Sequence, residues 1–241
     1  MNVIDAARIR RTAITNELAR VNGPKVMAGP FAGMVLLPDI AWGDGDLPPR
    51  LLGCYEEELH PAVAKAIARA PKAVVNIGAA EGYYAVGMAR ALPQSRVLAF
   101  EINERGQGIC RRAADANQVG DRVVVGGKCD VDTLCQLLTQ NERPLLIVDC
   151  EGDELTLLDP AQNPAILKCD MIIECHDFIN ARITPTLRER FFYSHEVELV
   201  TEGPRDPNRF AALRRWSSLD RWLAVNENRP CTMNWLVCWT R

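Results

Sequence analysis

Two short acidic blocks follow apolar runs in this sequence, and their side chains are suited to proton transfer and cation binding. The first block, IVDCEGDE over residues 147–154, contains Asp149, and the second, IIECHD over residues 172–177, contains His176. An imidazole with its ordinary pKa near 6.5 is mostly neutral at pH 7 and can accept a proton from a hydroxyl group. Asp149 is expected to be ionised at that pH unless it is strongly buried, and therefore to be a weaker base. His176 is thus predicted as a general base, with a hydrogen-bonded structural histidine as the alternative.

A glycine-containing turn earlier in the chain is a second place where the residue types point to chemistry. Residues 73–84, AVVNIGAAEGYY, combine an apolar run with Gly78 and Gly82 and continue into a helix-prone stretch. The pattern predicts a buried strand, a tight turn and a helix N-terminus, where backbone N–H groups are unpaired and carry partial positive charge. Glycine lets a ligand approach such a backbone closely, so a branched side chain at Gly82 is expected to block the ligand.

The spacing in this turn disfavours a dinucleotide and favours a nucleoside without a pyrophosphate. A dinucleotide-binding turn has the pattern G-x-G-x-x-G, and here Ala80 takes the place of the middle glycine. Glu101 ends the next apolar run, RVLAFE over residues 96–101, 19 positions after Gly82. A carboxylate at the end of the second strand can accept hydrogen bonds from both ribose hydroxyls.

Together, NIGAAEG, AFE, IVDCEGDE and IIECHD resemble the class I S-adenosylmethionine-dependent methyltransferases, and most closely the FkbM-type family. The resemblance covers roughly residues 55–177. The aspartate-x-glutamate-glycine-x-glutamate block of that family is matched at Asp149, Glu151, Gly152 and Glu154. Two positions depart from the family pattern, because Asn76 replaces an acidic residue and Ala80 replaces an asparagine. Asn76 still offers an acceptor to the methionine ammonium but supplies no charge.

The resemblance implies S-adenosyl-L-methionine as the cofactor and methyl transfer to a small-molecule or glycan hydroxyl. Their side-chain chemistry and their positions after strands five and four predict His176 and Asp149 as the catalytic residues. The resemblance also implies a set of cofactor-binding residues: Tyr55, Glu56, Asn76, Gly78, Ala80, Glu81, Gly82, Glu101, Ile102, Cys129 and Asp149.

Three alternatives to this interpretation stay open. Some small-molecule O-methyltransferases bind magnesium after strands four and five, so Mg²⁺ held by Asp149 and Asp177 is one option, although no metal ligand is assigned. A non-catalytic module that binds the same cofactor is the second, and the departures at Asn76 and Ala80 favour it slightly. A nucleotide-dependent oxidoreductase is the third, and the missing middle glycine disfavours it.

Apolar runs alternate with helix-prone segments over residues 55–241, which predicts an α/β, doubly wound, mostly parallel sheet. Strands are predicted at 73–77, 96–101, 122–125, 145–150, 171–175, 196–201 and 234–239. The main helices are predicted at 55–70, 82–92, 104–117, 130–138, 183–192 and 210–225. Ligands of such sheets bind beyond the carboxyl ends of the strands, where the pattern places Gly78, Glu101, Asp149 and Glu174. The resemblance implies a Rossmann-like order of seven strands, with the last strand antiparallel between strands five and six.

Residues 1–54 are predicted as an N-terminal arm outside the methyltransferase-like domain of residues 55–241. A helix is expected over residues 1–22, an irregular segment over 24–53, and a short strand at 34–37. The helix carries a loose apolar stripe that could pack on the main domain or on a second copy of the chain: Ile4, Ile9, Ala13, Ile14 and Leu18. A homo-oligomer through this helix is therefore one of two options.

Composition limits the partners and the compartment. The formal net charge is −3, which argues against nucleic acid as a partner because binding phosphates needs a basic face. No apolar run approaches the roughly 20 residues that span a bilayer, and the first residues lack the apolar core of a secretory signal. None of the nine cysteines forms a C-x-x-C pair. Reduced thiols and a cytoplasmic location are therefore expected.

Overall fold

Seven strands form one sheet in the computed structural model, which describes residues 3–39 and 47–241. Their order is β3-β2-β1-β4-β5-β7-β6, and β7 alone runs antiparallel to its neighbours β5 and β6. The prediction of a mostly parallel, seven-stranded sheet with this placement of the last strand is confirmed. The strands are β1 Ala73–Ile77, β2 Arg96–Phe100, β3 Val123–Gly126, β4 Leu145–Val148, β5 Asp170–Cys175, β6 His195–Thr201 and β7 Asn234–Thr240.

Helices cover both faces of the sheet, as expected for a doubly wound fold. Val74 faces the layer of α3, α4 and α5, whereas Val75 faces the layer of α6, α7 and α8, because successive strand side chains point to opposite faces. In the described residues no helix is long and apolar enough to cross a bilayer. The helices are α1 Val3–Asn22, α2 Leu47–Leu52, α3 His60–Ala68, α4 Tyr83–Ala91, α5 Glu104–Ala116, α6 Val131–Gln140, α7 Glu154–Leu157, α8 Ile183–Phe191 and α9 Ser218–Val225.

The N-terminal helix packs on the rest of the chain. Ile14 and Leu18 of α1 are each 1% exposed and join a cluster with residues of α2 and α9, whereas Ile9 is 62% exposed. The apolar stripe is therefore used within the chain, and the homo-oligomer option has no support. The predicted strand at 34–37 is wrong, because only a single bridge joins Lys25 to Val35. Residues 1–2, residues 40–46 and the side chain of Ile4 belong to the predicted arm but lie outside the described residues.

The predicted helix over 55–70 begins later than expected. Glu56 has a left-handed backbone with φ of 46°, a 3-10 turn covers Glu57–Leu59, and α3 starts at His60. A left-handed residue cannot belong to a right-handed helix, so the three glutamates do not form the first turn of an α-helix. Glu56 is 2% exposed, and its tertiary contacts hold it in place, as described below.

The predicted helix over 210–225 is likewise shorter. Two 3-10 turns occupy Pro207–Arg209 and Ala211–Leu213 before α9 begins. The Ser217 hydroxyl accepts a hydrogen bond from the Asp220 amide and so marks the start of α9. The apolar periodicity over 210–225 therefore spans two separate elements, the 3-10 turn Ala211–Leu213 and α9.

Candidate active site

A groove of about 820 Å³ opens at the carboxyl ends of the parallel strands. Gly78 follows β1, Glu101 follows β2, Asp149 follows β4 and Glu174 lies near the end of β5, and all four line the groove. The structure thus brings together residues that come from four separate parts of the sequence. Parallel strands produce this result because their carboxyl ends share one edge of the sheet.

A smaller space of about 40 Å³, here called the inner cavity, lies beside the groove above β1, β4, β5 and β7. Its walls carry carboxylates and aromatic rings: Glu56, Asp149, Glu174, Tyr55, Tyr83, Tyr84 and Trp235. Asn76 and Trp235 also line it, and two of their buried atoms, Asn76 Oδ1 and Trp235 Nε1, have no hydrogen-bond partner. Buried polar atoms normally find partners, so these two atoms indicate a polar ligand or water in the inner cavity.

The glycines of the β1–α4 turn serve packing within the protein. Gly78 has φ of +78°, and a Cβ placed on it would lie 1.6 Å from the Asp149 carbonyl oxygen. Gly82 has φ of +90°, and its Cβ would lie 2.7 Å from the Cys110 sulfur in α5. The expected reason for Gly82, space for a ligand, is therefore wrong. Gly82 allows α4 to pack against α5, and Gly78 allows the turns after β1 and β4 to touch.

Glu101 is held in place by backbone amides at the edge of the groove. Its Oε2 accepts from the Ala80 N–H at 2.8 Å, and its Oε1 accepts from the Asn103 N–H at 2.7 Å. The residue is only 4% exposed, yet it lines the groove. Each carboxylate oxygen can accept about two hydrogen bonds. Glu101 is therefore a preorganised acceptor.

Ala80 adopts a left-handed backbone with φ of 45°, in which asparagine and glycine are better tolerated than alanine. This conformation gives a physical reason for the asparagine found here in the resembled family. Ala80→Gly is expected to raise the free energy of unfolding by about 1 kcal/mol, since relief of the left-handed strain exceeds the added chain entropy. Denaturant unfolding checks this value.

The neighbouring Ala79 provides the matched control for that prediction. Its backbone is not left-handed, and its side chain is 4% exposed in the core. Ala79→Gly is therefore expected to lower stability by roughly 0.5–1 kcal/mol. Equal destabilisation by both glycine substitutions would contradict strain at Ala80.

Most of the other predicted cofactor residues line one or both of the two spaces. Tyr55, Ile102 and Cys129 line the groove, and Glu56 and Asn76 line the inner cavity. Glu81 lines neither, and its carboxylate pairs with Arg50 at 3.1 Å. Gly82 also lines neither the groove nor the inner cavity.

Asp149 lines the groove among other carboxylates, and its side chain is 40% exposed. Burial raises its pKa, and the negative charges of Glu56 and Glu151 add to this effect, bringing the pKa to about 8. This raised pKa differs from the expectation of an ionised aspartate at pH 7. A carboxylate with this pKa is a much stronger base than an ordinary aspartate and can accept a proton near neutral pH.

His176 is 3% exposed and lines neither the groove nor the inner cavity. Its Nδ1 lies 2.6 Å from Glu154 Oε1, and its Nε2 lies 3.5 Å from Asp149 Oδ1 and 3.4 Å from Glu151 Oε2. Burial lowers the pKa of His176, but the hydrogen bond and charge of Glu154, with the other nearby carboxylates, outweigh it and raise the pKa overall. His176 is thus held by Glu154 and directed toward Asp149.

The magnesium pair Asp149 and Asp177 is not supported. The Asp177 carboxylate accepts hydrogen bonds from the Thr184 N–H at 3.0 Å, the Thr184 hydroxyl at 2.6 Å and the Asn234 amide at 3.3 Å. These bonds fix Asp177 at the start of α8. Over residues 3–39 and 47–241, the group with donors close enough for one metal ion is Asp149, Glu151 and His176. Acidic groups of this kind are common without a metal.

Sequence reasoning missed two arginines and a glutamate at the site. Arg50 of α2 lines both spaces, and its guanidinium lies 4.6 Å from the centre of the Tyr55 ring. Arg229 and Glu227 line the groove from the segment between α9 and β7. None of the three stands in a periodic or motif-like pattern, so the sequence offers no signal for them.

Comparisons with solved structures place the fold. A candidate O-methyltransferase from Klebsiella pneumoniae superposes with a TM-score of 0.51 and 11% identity, over 96% of this chain and 90% of that one. Cofactor-bound Rv0187 from MTB superposes with a TM-score of 0.50 and 15% identity, over 80% of this chain and 84% of that one. No family model matches the sequence, and no curated protein matches it. The chain thus has the Rossmann-like fold of class I methyltransferases, and the finer resemblance to the FkbM-type family is not confirmed.

Proposed function

We propose that this protein is an S-adenosyl-L-methionine-dependent methyltransferase. The observation that carries the proposal is Glu101, a carboxylate fixed by two backbone amides at the end of β2 beside the glycine turn after β1. An acceptor in this position suits the two hydroxyls of a ribose, and the turn has no pyrophosphate-binding pattern. The methyltransferase fold supports the same ligand.

The residues present fit this cofactor along the length of the groove. Phe100, Ile102 and Cys129 offer apolar surface for a purine next to Glu101. Gly78 and Asp149 line the groove on the far side of Glu101 from the purine surface, and the methionine part would lie beside them. A sulfonium and an ammonium are both cations, and the carboxylates at this end favour them.

Asn76 is a further residue that fits this cofactor. Its Oδ1 is buried, has no partner and lies in the wall of the inner cavity. A methionine ammonium is a donor that would satisfy this atom, so the residue that replaces the usual acid retains a binding role.

The cofactor supplies an electrophilic methyl group when bound, and the protein must position an acceptor and remove its proton. An acceptor oxygen forms the new bond to the methyl carbon while the carbon–sulfur bond breaks, and the hydroxyl proton leaves to a base. We propose Asp149 as that base, because it lines the groove and has a raised pKa. His176 then positions Asp149 through Nε2. Direct proton transfer to His176, the expectation from sequence, stays a prediction that the same variants test.

The proposed acceptor is a hydroxyl of a small molecule or glycan. Calorimetric titration with S-adenosylmethionine, S-adenosylhomocysteine and NAD⁺ tests the cofactor, and only the first two are expected to bind. Transfer of a labelled methyl group into a panel of hydroxyl compounds then tests the reaction. Binding without transfer to any acceptor would favour the non-catalytic module. Binding of NAD⁺ alone would overturn the proposed function.

A further inference from the structure

The guanidinium of Arg229 is bound as a ligand would be, by carboxylates and aromatic rings. Its Nη1 donates to Glu174 Oε1 at 2.6 Å, and its Nη2 donates to Glu56 Oε1 at 2.5 Å. The guanidinium carbon lies 5.6 Å from the centre of the Tyr55 ring and 5.4 Å from that of Trp235. Charge-assisted bonds to two carboxylates and contacts with aromatic faces are the general means of recognising a guanidinium.

This guanidinium lies at the boundary between the groove and the inner cavity. Arg229 and Glu174 line the groove, whereas Glu56 and Trp235 line the inner cavity. The side chain is 15% exposed and comes from residues 226–233, which contain no helix or strand. Glu174 and Trp235 are paired on β5 and β7, on the side of Asp149 away from Glu101. Arg229 therefore occupies the part of the site that is left for an acceptor.

Negative charge exceeds positive charge around Arg229. A third carboxylate, Glu227 Oε2, lies 3.3 Å from its Nη2, and Glu227 is shared with Arg205. The carboxylates around Arg229 can therefore bind a cationic ligand in place of the Arg229 guanidinium.

The same charges restrict what can displace Arg229. If a neutral or anionic group took its place, Glu56 and Glu174 would stay buried without a cation, which is strongly unfavourable. A cationic group of the same shape would replace the lost bonds one for one.

We propose that the pocket of Glu56, Glu174, Tyr55 and Trp235 is an acceptor subsite for a guanidinium group, and that Arg229 occupies it in the absence of acceptor. The inference rests on the proposed function and names its substrate class. The methyl acceptor is a hydroxyl compound that also carries a guanidinium group, which anchors it while the hydroxyl lies near Asp149. Arg229 is thus an internal stand-in that the acceptor displaces.

Binding of a small probe tests the subsite directly. Arg229→Ala removes the stand-in, and methylguanidine is expected to bind this variant, measured by calorimetry, at least tenfold more tightly than the wild type. Urea, which is planar but neutral, is the matched probe and is expected not to bind. Arg229→Lys keeps a cation and is expected not to gain methylguanidine binding. Arg229→Gln replaces Arg229→Ala in the methylguanidine titration if the alanine variant does not fold. Equal binding of urea and methylguanidine, or binding of neither, would overturn the subsite.

The ammonium group of the cofactor is another cation that could bind Glu56 and Glu174. A competition experiment distinguishes it from the guanidinium group of an acceptor. Methylguanidine is titrated into Arg229→Ala saturated with S-adenosylhomocysteine or with methylthioadenosine, which lacks the amino-acid part. Unchanged affinity in both cases supports an acceptor subsite. Loss of binding with S-adenosylhomocysteine alone assigns the pocket to the cofactor and refutes the proposal.

Turnover by the wild-type protein gives the final test. Pairs of hydroxyl compounds that differ only in a guanidino or a neutral ureido group are compared for labelled methyl incorporation. The guanidino member is expected to have a kcat/KM at least tenfold higher, and equal values would contradict the inference. If neither member is methylated, the proposed function is in doubt, while the methylguanidine titrations still decide the subsite.

Discussion

Glu101→Ala is expected to weaken the binding of S-adenosylmethionine at least a hundredfold. The carboxylate is proposed to accept hydrogen bonds from both ribose hydroxyls, and a bond to a charged acceptor contributes about 1.5–3 kcal/mol. Two such bonds exceed the roughly 2.7 kcal/mol that corresponds to a hundredfold change in affinity. The substitution also removes the acceptor of the Ala80 and Asn103 amides, so the turn loses its preorganisation. Calorimetry with S-adenosylhomocysteine measures the effect.

Glu104 provides a control for this substitution because it is an exposed carboxylate only three residues away, at the start of α5. Glu104→Ala is expected to change the affinity less than twofold. Thermal unfolding of both variants without cofactor separates a binding defect from a folding defect. If Glu101→Ala folds and binds the cofactor as tightly as the unchanged protein, the proposed ribose contact does not exist.

Asp149→Asn is expected to lower kcat by about 10²–10⁴, the usual contribution of a general base. The pH profile distinguishes this role from a merely structural one. The base works in its ionised form, and its pKa is raised to about 8, so kcat/KM should fall tenfold per pH unit below about 8 and level off above it. A bound cationic cofactor favours the ionised carboxylate, so the same inflection in kcat should lie at lower pH. The asparagine variant should lack both inflections.

Two further variants assign the proton transfer between Asp149 and His176. Asp153 is an exposed carboxylate in the same groove, and Asp153→Asn is expected to leave kcat within about threefold. His176→Ala is expected to lower kcat and to shift the pH inflection, because Asp149 loses the neighbour at its Oδ1. A pH inflection that survives in Asp149→Asn but is lost in His176→Ala would return the role of base to His176.

The sequence predicts those parts of the site that depend on strand order and local backbone. Glu101 could be placed because it ends an apolar run of strand length that follows a glycine turn. Parallel strands bring such ends to the same edge of the sheet. Arg229 could not be placed, since it reaches Glu56 across 173 positions from a segment with no periodicity. The pKa of Asp149 could not be predicted either, because it depends on burial and on the charge of Glu56, which comes from a distant part of the chain.

Glu56 shows a different limit of prediction. Its position after Tyr55 in an apolar-periodic stretch favours a helix, and the periodicity does continue into α3. Its backbone is left-handed instead, and its carboxylate accepts bonds from the Tyr84 hydroxyl and from Arg229. Tertiary contacts of a buried charge thus override the local preference, as they often do at functional sites.

The position of β7 between β5 and β6 sets an order of assembly during synthesis of the chain. β5 and β6 do not pair with each other, so β6 can join the sheet only after the ribosome has produced β7. The strands β1 to β4, with Gly78, Glu101 and Asp149 at their ends, have by then already emerged. Because pairing of distant segments is slow, the side of the groove built by Glu174, Arg229 and Trp235 is completed last. A nascent chain that lacks β7 should therefore be able to form the nucleoside end of the groove before it can enclose an acceptor.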